Sequence, residues 1–295
     1  MNIIWFRGGG TLFQQAPQRS FYLLKYFPDK YNITVCNFGC DYFYGGFLKK
    51  PRKYRFKKNI TVFEPVNVNF FPMNRYYHFN DLLPSLHALF AGLLESFNAD
   101  IIVGVGFWGG IAGALLRKIA GIPFVYDYTD PYTELAGLGP LGVYYSIERF
   151  LTKTADLTVC VNYTLYEKAK SYGAKRIEII PNGFEPERFI MKSRSKSHRF
   201  PMGKKIVLYV GQVNRSYGFD IFIKSALYVP ENVLYVIVGS GPGAKEVRAF
   251  VENLHLNNKI KFIGYQPREK IPELISSSDV CIVPYGIEST IKLLE

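Results

Sequence analysis

Short apolar runs alternate with longer, helix-patterned segments along most of the chain. The apolar runs are rich in β-branched and aromatic residues, which is typical of buried strands. In the first part of the chain the predicted strands are Ile3–Phe6, Ile33–Cys36, Ile60–Phe63, Ile101–Val105, Phe124–Tyr126, Leu157–Val161 and Ile177–Ile180. The predicted helices between them are Asp81–Ser96, Gly110–Ala120, Gly142–Thr154 and Tyr163–Ser171. This alternation predicts a parallel sheet covered by helices.

The same alternation restarts after residues 191–201, a polar, basic and serine-rich segment of the kind that links domains. The predicted strands there are Ile206–Val210, Leu234–Val238, Ile260–Ile263 and Val280–Val283, and the predicted helices are Phe219–Leu227, Ala244–Leu254 and Arg268–Ser276. We therefore predict α/β domains at residues 1–190 and 206–295, joined by a basic linker at 191–205. Because the sequence stops inside what resembles a further helix, we expect the second domain to be incomplete.

Composition narrows the protein class. A hydrophobic content of 48% and a charged content of 20% exclude a disordered chain. The four cysteines lack zinc-site spacing, so we interpret them as buried thiols in a reducing compartment. The uncharged stretch Ile101–Leu116 is shorter than the ~20 residues that a membrane span needs. These features predict a cytoplasmic protein.

The net charge of +12 is concentrated in part at residues 49–58, a dense basic run that contains two aromatic residues. One interpretation is a solvated loop between two strands. Another is a patch that contacts anionic lipid headgroups at the cytoplasmic face of a membrane, where each cation adds ~1 kcal/mol. Nucleic acid is the least favoured partner, because no nucleic-acid-binding motif accompanies the run. We therefore expect no nucleic-acid partner.

Three predicted strands are followed by glycine-rich turns, at Gly8–Gly10, Gly104–Gly109 and Gly239–Gly243. Glycine lets the backbone approach a phosphate closely, and the amides at the start of the next helix favour negative charge there. Gly9, Gly10, Gly239 and Gly241 are therefore candidate ligand-binding residues.

The middle turn, Gly104-x-Gly106-x-x-Gly109, fits the dinucleotide-binding fingerprint, and Asp127 ends the following strand. An NAD(P)-binding oxidoreductase is therefore one alternative. Against it, the motif lies far from the first strand, and Phe107 and Trp108 place bulky rings where a pyrophosphate would lie. We favour a packing turn beside an acceptor pocket.

Six segments carry a resemblance to a known family: Lys153–Val161, Ile179–Phe189, Tyr209–Gly211, Val236–Pro242, Ile263–Tyr265 and Ser278–Pro284. In this order and spacing they resemble the retaining GT-B glycosyltransferases of the family 4 type, which use nucleotide-sugar donors. The resemblance implies two Rossmann-like parallel-sheet lobes, the second incomplete. It implies sugar transfer from a nucleotide-diphosphate donor to a glycan or lipid-linked acceptor, with no metal and no cofactor.

The resemblance also implies roles for individual residues. Gly211, Gly239 and Gly241 would approach the donor, Tyr265 would flank the base, Glu295 would hold the ribose, and Glu288 would lie near the transferred sugar. The family carries an Arg directly after the glycine at 211 and a Lys five residues later. Here these positions are Gln212 and Tyr217, and Arg215 is the candidate replacement for the cations that stabilise the leaving diphosphate.

In the first domain, Asp127 and Asp130 follow a predicted strand at the sheet edge where α/β proteins bind ligands. Either could orient acceptor or donor hydroxyls, and Asp130 is alternatively a helix N-cap before Pro131. A different reading of the whole chain is a truncated, non-catalytic nucleotide-sugar-binding remnant. Gln212, Tyr217 and the incomplete second domain favour that alternative.

Overall fold

A computed structural model describes residues 1–7, 19–37, 48–64, 67–68, 89–93, 95, 98–135, 142–189, 200–214 and 217–284. The chain separates into two compact units, Met1–Gly183 and Phe184–Glu295. Each unit has a sheet of its own.

The first unit is built on an eight-stranded sheet in the order β10-β9-β8-β7-β1-β2-β5-β4. Every neighbouring pair is parallel except β4 and β5. The strands are β1 (Asn2–Arg7), β2 (Asn32–Asn37), β4 (Arg52–Lys57), β5 (Ile60–Glu64), β7 (Ile101–Val105), β8 (Phe124–Tyr128), β9 (Leu157–Cys160) and β10 (Ile177–Ile179), with β3 (Leu48–Lys49) and β6 (Asn67–Val68) forming a separate pair. The helices are α1 (Arg19–Tyr26), α2 (Gly106–Ala120), α3 (Tyr132–Leu135), α4 (Val143–Thr154) and α5 (Tyr163–Ser171), and residues 89–93 and 95 are also helical.

The second unit has a four-stranded parallel sheet in the order β13-β12-β11-β14. Its elements are β11 (Lys205–Val210), α6 (Phe219–Ser225), β12 (Val233–Val238), α7 (Ala244–Asn253), β13 (Ile260–Gly264), α8 (Ile271–Ser276) and β14 (Val280–Cys281). Short 3-10 turns continue α6 at Ala226–Tyr228 and precede α8 at Arg268–Lys270. The prediction of two Rossmann-like parallel-sheet lobes is confirmed.

Successive side chains of the central strand β1 contribute to the cores on opposite faces of the first sheet, and helices cover both faces. Ile4 and Phe6 belong to one buried cluster, which includes residues of α2, α4 and α5. Ile3 and Trp5 belong to the opposite cluster, which includes α1. Because successive side chains of a strand point to opposite faces, both sets are buried and the strand reads as one continuous apolar run.

The interpretation of residues 49–58 as a solvated loop is wrong. Arg52–Lys57 is the strand β4, which pairs antiparallel with β5 at the end of the sheet. Tyr54 and Phe56 pack against the core on the α1 side, while Arg55 between them is exposed. The high charge of the run therefore concealed its strand pattern. Basic residues on an edge strand also discourage pairing with another chain.

An aspartate directly before a strand holds that strand in register with its neighbour at three places in the described chain. In each pair the carboxylate accepts the N–H of a residue at the start of the neighbouring strand, at 2.7, 2.9 and 2.8 Å. The aspartate's own N–H donates back to that residue's carbonyl, at 2.9, 2.8 and 3.0 Å. The pairs are Asp100 with Asn2, Asp156 with Phe124 and Asp279 with Ile206.

Glycines let α2 lie directly on the sheet. A Cβ at Gly109 would lie 2.6 Å from the Phe6 carbonyl oxygen, and one at Gly113 would lie 2.2 Å from the Phe124 ring. Gly104 similarly faces the Gly109 carbonyl oxygen, at 2.4 Å from its own Cβ position. Close helix–sheet packing therefore accounts for the glycines in this segment.

None of the helices that the structure describes combines the length and apolar character needed to cross a membrane. Cys36 and Cys160 are buried, as predicted, and burial raises the pKa of each thiol to about 12. Cys281 is exposed, contrary to the prediction, because it lies on the short edge strand β14.

We predict that Gly113→Ala destabilises the protein. In an exposed helix interior the same change is stabilising by roughly 0.5–1 kcal/mol. Here the new methyl group meets the fully buried Phe124 ring, and overpacking of this kind costs about 1–3 kcal/mol. Urea denaturation should show a lowered midpoint that Phe124→Leu restores in the double variant. A higher midpoint for Gly113→Ala alone would contradict this packing.

We predict that the cost of Asp156→Asn depends on pH. Desolvation raises the pKa of Asp156, but the Phe124 N–H and the Arg117 guanidinium outweigh it, so the pKa lies below its ordinary value. A depressed folded-state pKa adds stability above the unfolded value of about 3.9, and that stability is lost as the pH falls through the folded value. Denaturation curves should therefore separate wild type from Asp156→Asn at pH 7 and converge at acidic pH. A difference that stays constant with pH would contradict the assignment.

Candidate functional site

The first sheet has a point where the chain reverses its direction of growth. From β1 the chain adds β2 and β5 on one side, and it then adds β7, β8, β9 and β10 on the other. Ligands of open α/β sheets bind outside the carboxyl ends of the strands at such a point. The described residues at this edge include Arg7 and Asp127, which lie on either side of Val105 in one register row.

Asp127 ends β8 and is held by a residue that the sequence did not reveal. Arg19, the first residue of α1, directs its Nε at both carboxylate oxygens, at 3.1 and 3.0 Å. The exposed fractions of the two side chains are only 9% and 5%. Arg19 Nη1 also donates to the Pro181 carbonyl oxygen at 3.0 Å and to Asn182 Oδ1 at 3.3 Å. Arg19 therefore ties the end of β8 to the turn that follows β10.

Burial and pairing act in opposite directions on Asp127. Desolvation raises the pKa of the carboxyl group, and the hydrogen bond and charge of Arg19 lower it, with a net upward shift. A buried carboxylate whose oxygens already accept from an arginine is suited to orienting that arginine. The low exposure of the Asp127 side chain leaves little of its carboxylate open to direct contact with a ligand.

Asp130 is exposed at the same edge. Its Oδ2 accepts from Thr129 Oγ1 at 3.0 Å and from the Tyr132 hydroxyl at 3.3 Å. The N-cap interpretation of Asp130 is not supported, since α3 begins at Tyr132 and the N–H of Thr133 donates to Glu148 Oε1 at 3.3 Å. Asp130 is thus a carboxylate oriented by neighbouring hydroxyls and open to solvent.

The fully buried Glu148 of α4 holds Thr133 of α3, the short helix that follows Asp130. Glu148 was not identified from the sequence. Its carboxylate accepts from both the N–H and the hydroxyl of Thr133, from Lys168 Nζ at 3.0 Å and from the Tyr172 hydroxyl at 3.3 Å. These bonds join α3, α4 and α5. The sequence signal for Glu148 was its position on the apolar side of an amphipathic helix. A glutamate buried there needs several hydrogen-bond donors around it.

Arg7 adds a second buried cation to the same edge. It donates to Asn37 Oδ1 at 3.2 Å, and desolvation lowers its pKa to about 10, against the opposing influence of Tyr54 and Glu64. Glu64 itself accepts from Arg52 and from the Tyr54 hydroxyl. Charged groups therefore occupy the carboxyl ends of β1 and β5, and the uncharged Asn37 occupies that of β2.

Gly104 lies in β7, and Gly106 and Gly109 lie at the start of α2, beside this edge. Gly106 has a φ of +68°, and the Tyr132 hydroxyl lies 2.7 Å from its Cβ position. Gly104 and Gly109 lie where the sheet and the helix touch, so packing explains all three, and the interpretation as a packing turn agrees with these contacts. Phe107 and Trp108 pack edge to face at a centroid distance of 5.6 Å.

The second sheet reverses its growth between β11 and β14. Gly211 follows β11, and Gly239 and Gly241 follow β12, so all three lie at the carboxyl edge next to that reversal. The two loops interlock. A Cβ at Gly239 would lie 1.8 Å from the Gly211 carbonyl oxygen, and one at Gly241 would lie 2.3 Å from the Val213 carbonyl oxygen.

Backbone hydrogen bonds hold the two loops together, and some backbone N–H groups of these loops take no part in them. Val213 N donates to the Ser240 carbonyl oxygen at 3.0 Å, and Gly243 N donates to the Val213 carbonyl oxygen at 3.1 Å. Within the described part of the chain, the N–H groups of Gln212, Ser240 and Gly241 donate to no other residue. Neighbouring backbone amides of this kind can bind an anion.

The two positions where the resemblance leads us to expect cations contact each other. The Tyr217 hydroxyl donates to Gln212 Oε1 at 3.2 Å, and the Tyr209 hydroxyl donates to the Gln212 carbonyl oxygen at 2.6 Å. Both contacts fix Gln212 beside Gly241, whose Cβ position lies 3.0 Å from Gln212 Cγ.

Tyr265 follows β13 at the same edge and is 46% exposed. The preceding Gly264 has a φ of +70°, and its carbonyl oxygen accepts from Gly239 N at 2.8 Å. Gly211, Gln212, Gly239, Gly241 and Tyr265 thus lie on successive loops of one edge. The other predicted site residues, Gly9, Gly10, Arg215, Glu288 and Glu295, lie outside the described residues.

Among the residues that the structure describes, no group of three or more His, Cys, Asp or Glu side chains is arranged to hold a metal ion. The expectation that the chemistry needs no metal and no cofactor remains a prediction.

Two family models match the chain. The model for Glycosyltransferase Family 4 matches residues 22–188, and the model for glycosyl transferases group 1 matches residues 191–291.

Curated relatives are distant. The chain is 22% identical to the 2-deoxystreptamine glucosyltransferase of Streptomyces kanamyceticus, over 60% of this chain and 50% of the relative. It is 23% identical to the D-inositol 3-phosphate glycosyltransferase of Xylanimonas cellulosilytica, over 71% of this chain and 57% of the relative. The chain therefore spans about half the length of the curated relatives it matches.

Solved structures share the fold. A sucrose-phosphate synthase from Thermosynechococcus elongatus matches with a TM-score of 0.72 and 16% identity, covering 98% of this chain and 78% of the other. HepE of Anabaena, solved in complex with UDP, matches with a TM-score of 0.66 and 18% identity, covering 95% and 73%. The fold is thus that of the GT-B proteins. Because the first family model spans more than half of the 295 residues, the chain belongs to Glycosyltransferase Family 4.

Proposed function

We propose that the protein is a retaining glycosyltransferase that moves a sugar from a nucleotide-diphosphate donor to a glycan or lipid-linked acceptor. The observation that carries the proposal is the pair of interlocked glycine loops after β11 and β12, with backbone N–H groups left over at the carboxyl edge. Family membership supports the reaction class. Structural relatives solved with UDP, UDP-glucose or UDP-2-fluoro glucose support a nucleotide-sugar donor.

On the donor side, each group has a proposed part. Gly211, Gly239 and Gly241 keep the loops free of side chains, so that backbone N–H groups reach the diphosphate. Tyr265 flanks the base, Arg215 supplies a cation to the leaving group, Glu288 contacts the transferred sugar and Glu295 holds the ribose. Protein groups then stabilise the departing diphosphate without a cofactor.

On the acceptor side, Asp130 is the group that we propose orients an acceptor hydroxyl. It is exposed, and Thr129 and Tyr132 already orient one of its oxygens. Asp127 acts through Arg19, since its own carboxylate is buried in that ion pair. Gly9 and Gly10, which come after β1 in the sequence, are further proposed donor-binding residues.

A second candidate is a non-catalytic protein that binds nucleotide sugars. The observation that favours it is the uncharged Gln212–Tyr217 pair, which stands where the resemblance leads us to expect two cations. An activity measurement distinguishes the two candidates, because only an enzyme releases sugar from the nucleotide-sugar donor.

We predict that the protein binds a nucleoside diphosphate and that Tyr265→Ala weakens binding about tenfold. Stacking of a base on an aromatic ring is worth about 1–3 kcal/mol in single-stranded nucleic-acid complexes, and Tyr265 is exposed enough to be replaced without disturbing the core. Calorimetric titration with UDP, ADP and GDP measures the effect. Tyr228→Ala is the matched control, because Tyr228 is 86% exposed in the same unit and lies on another element.

Release of labelled sugar from the corresponding nucleotide sugar tests activity, and NMR of the product tests retention of configuration. Failure to bind any of the three nucleotides would overturn the proposal. Binding without any release or transfer of sugar would favour the non-catalytic candidate.

We also propose that the protein is cytoplasmic and contacts an anionic membrane surface through residues 49–58. Ion pairs within the protein already engage three of the basic residues in this segment. Arg52, Lys53 and Lys57 are engaged with Glu64, Glu95 and Asp29. Lys50, Arg55 and Lys58 are exposed and make no ion pair among the described residues. These three residues are the proposed contacts with lipid headgroups.

We predict that replacing both Arg55 and Lys58 with alanine weakens binding to phosphatidylserine-containing vesicles at least tenfold. Each cation near an anionic surface contributes about 1 kcal/mol, so the loss of two has this size. Co-sedimentation measures the bound fraction. Lys245→Ala with Lys261→Ala is the control, because it removes the same charge from exposed positions elsewhere. Equal losses for the two double variants would show a nonspecific charge effect and contradict this site.

A further inference from the structure

Gln212 and Tyr217 form a pair in which each side chain's chemistry depends on the other. A carboxamide carries one acceptor oxygen and one NH2 group, and its partners decide which of them points outward. The Tyr217 hydroxyl donates to Oε1, at 3.2 Å. The Nε2 group is left to face away from Tyr217, and it donates to no residue in the described part of the chain.

Gln212 lies among backbone N–H groups of the kind that bind anions. Gln212 follows Gly211 at the carboxyl edge of β11, and its Cγ lies against Gly241 of the neighbouring loop. The N–H groups of Gln212, Ser240 and Gly241 are left over at the same place. The Tyr209 hydroxyl, through its 2.6 Å bond to the Gln212 carbonyl oxygen, holds the backbone from which the side chain extends.

We propose that Tyr217 is a positioning residue that turns the Gln212 carboxamide so that Nε2 donates to a phosphate oxygen of the nucleotide-sugar donor. The proposal rests on the proposed function and adds to it a specific, uncharged contact. Tyr217 does not touch the donor. It acts by occupying Oε1, which would otherwise be free to face the phosphate and repel it.

This pairing gives one explanation for Gln212 and Tyr217 together, which stand where the family carries an arginine and a lysine. A lone glutamine in place of an arginine would present its oxygen or its nitrogen to the phosphate with little preference. A tyrosine hydroxyl can donate to the carboxamide oxygen or accept from its NH2 group, and here it donates to Oε1, which leaves Nε2 outside that bond. The exposed Gln212 side chain is thereby preorganised, which lowers the entropy lost on binding.

The test is a double-mutant cycle on nucleotide affinity. The probe is whichever of UDP, ADP and GDP binds wild type most tightly, and the phosphate-free nucleoside is titrated alongside it. Gln212→Ala should weaken diphosphate binding about tenfold, as expected when one hydrogen bond is lost, and leave nucleoside binding unchanged. Tyr217→Phe, which removes only the hydroxyl, should weaken diphosphate binding about threefold to fivefold. In the Gln212→Ala background, Tyr217→Phe should have no further effect, because Tyr217 acts through Gln212.

Two further variants keep the result interpretable. Gln212→Glu has the same shape but no donor and a negative charge, so it should weaken diphosphate binding more than Gln212→Ala does. Gln212→Arg should tighten diphosphate binding at low salt, and high salt should remove the gain through screening. The Arg variant should not respond to Tyr217→Phe. Denaturation midpoints confirm that each variant is folded.

The outcomes separate the two proposals. If the losses from Gln212→Ala and Tyr217→Phe multiply in the double variant, or if Tyr217→Phe weakens the nucleoside equally, the positioning role is overturned while the proposed function stands. If wild type binds none of the three nucleoside diphosphates, the proposed function itself fails. Unchanged diphosphate binding by Gln212→Glu would also overturn the contact.

Discussion

In both units, an aspartate directly before a strand fixes the register between that strand and a parallel neighbour. Asp100, Asp156 and Asp279 each exchange two hydrogen bonds with the first or second residue of a neighbouring strand. A one-residue slip would break both bonds and turn the side chains of the strand to the wrong face. Because register is set at the amino edge, the residues that follow the strands meet at the carboxyl edge. The candidate sites of both units depend on that alignment.

Glycine serves different purposes in the two units. In α2, Gly109 and Gly113 let a helix rest on the sheet, and the outcome is a packed interior. After β11 and β12, Gly211, Gly239 and Gly241 let one loop rest on another, and backbone N–H groups are left over at the surface of that contact. Glycines that follow a strand therefore allow close packing in one unit and form a candidate anion site in the other. What lies opposite each glycine makes the difference.

Charge is distributed differently over the two candidate sites. In the first unit the buried charged groups face one another, as in the pairs of Arg19 with Asp127 and Glu148 with Lys168. Such pairs orient loops, because removing either partner would leave a buried charge uncompensated. In the second unit, the described part of the candidate site offers uncharged hydrogen-bond donors, and Gln212 and Tyr217 are bonded to each other. A site of this kind selects its ligand by hydrogen-bond geometry more than by attraction over distance.

The sequence by itself determined most of the strands, the division into two sheets and the family. Ile101–Val105 and Tyr163–Ser171 were predicted to the residue, because apolar periodicity and capping act over a few neighbouring positions. It also located Asp127 and the glycine loops at strand ends. Only the tertiary structure decided that the basic run contains an edge strand, since that depends on β5 lying beside it.

Partners far apart in sequence were likewise set by the fold. Arg19 meets Asp127 across 108 residues, and Glu148 meets Thr133 on α3 and Tyr172 directly after α5. The Gln212–Tyr217 bond spans only five positions, yet it depends on how the loop folds over Gly241. Local pattern encodes which element a residue joins. The direction in which its side chain points, and what it meets there, follows from the register and packing of the whole sheet.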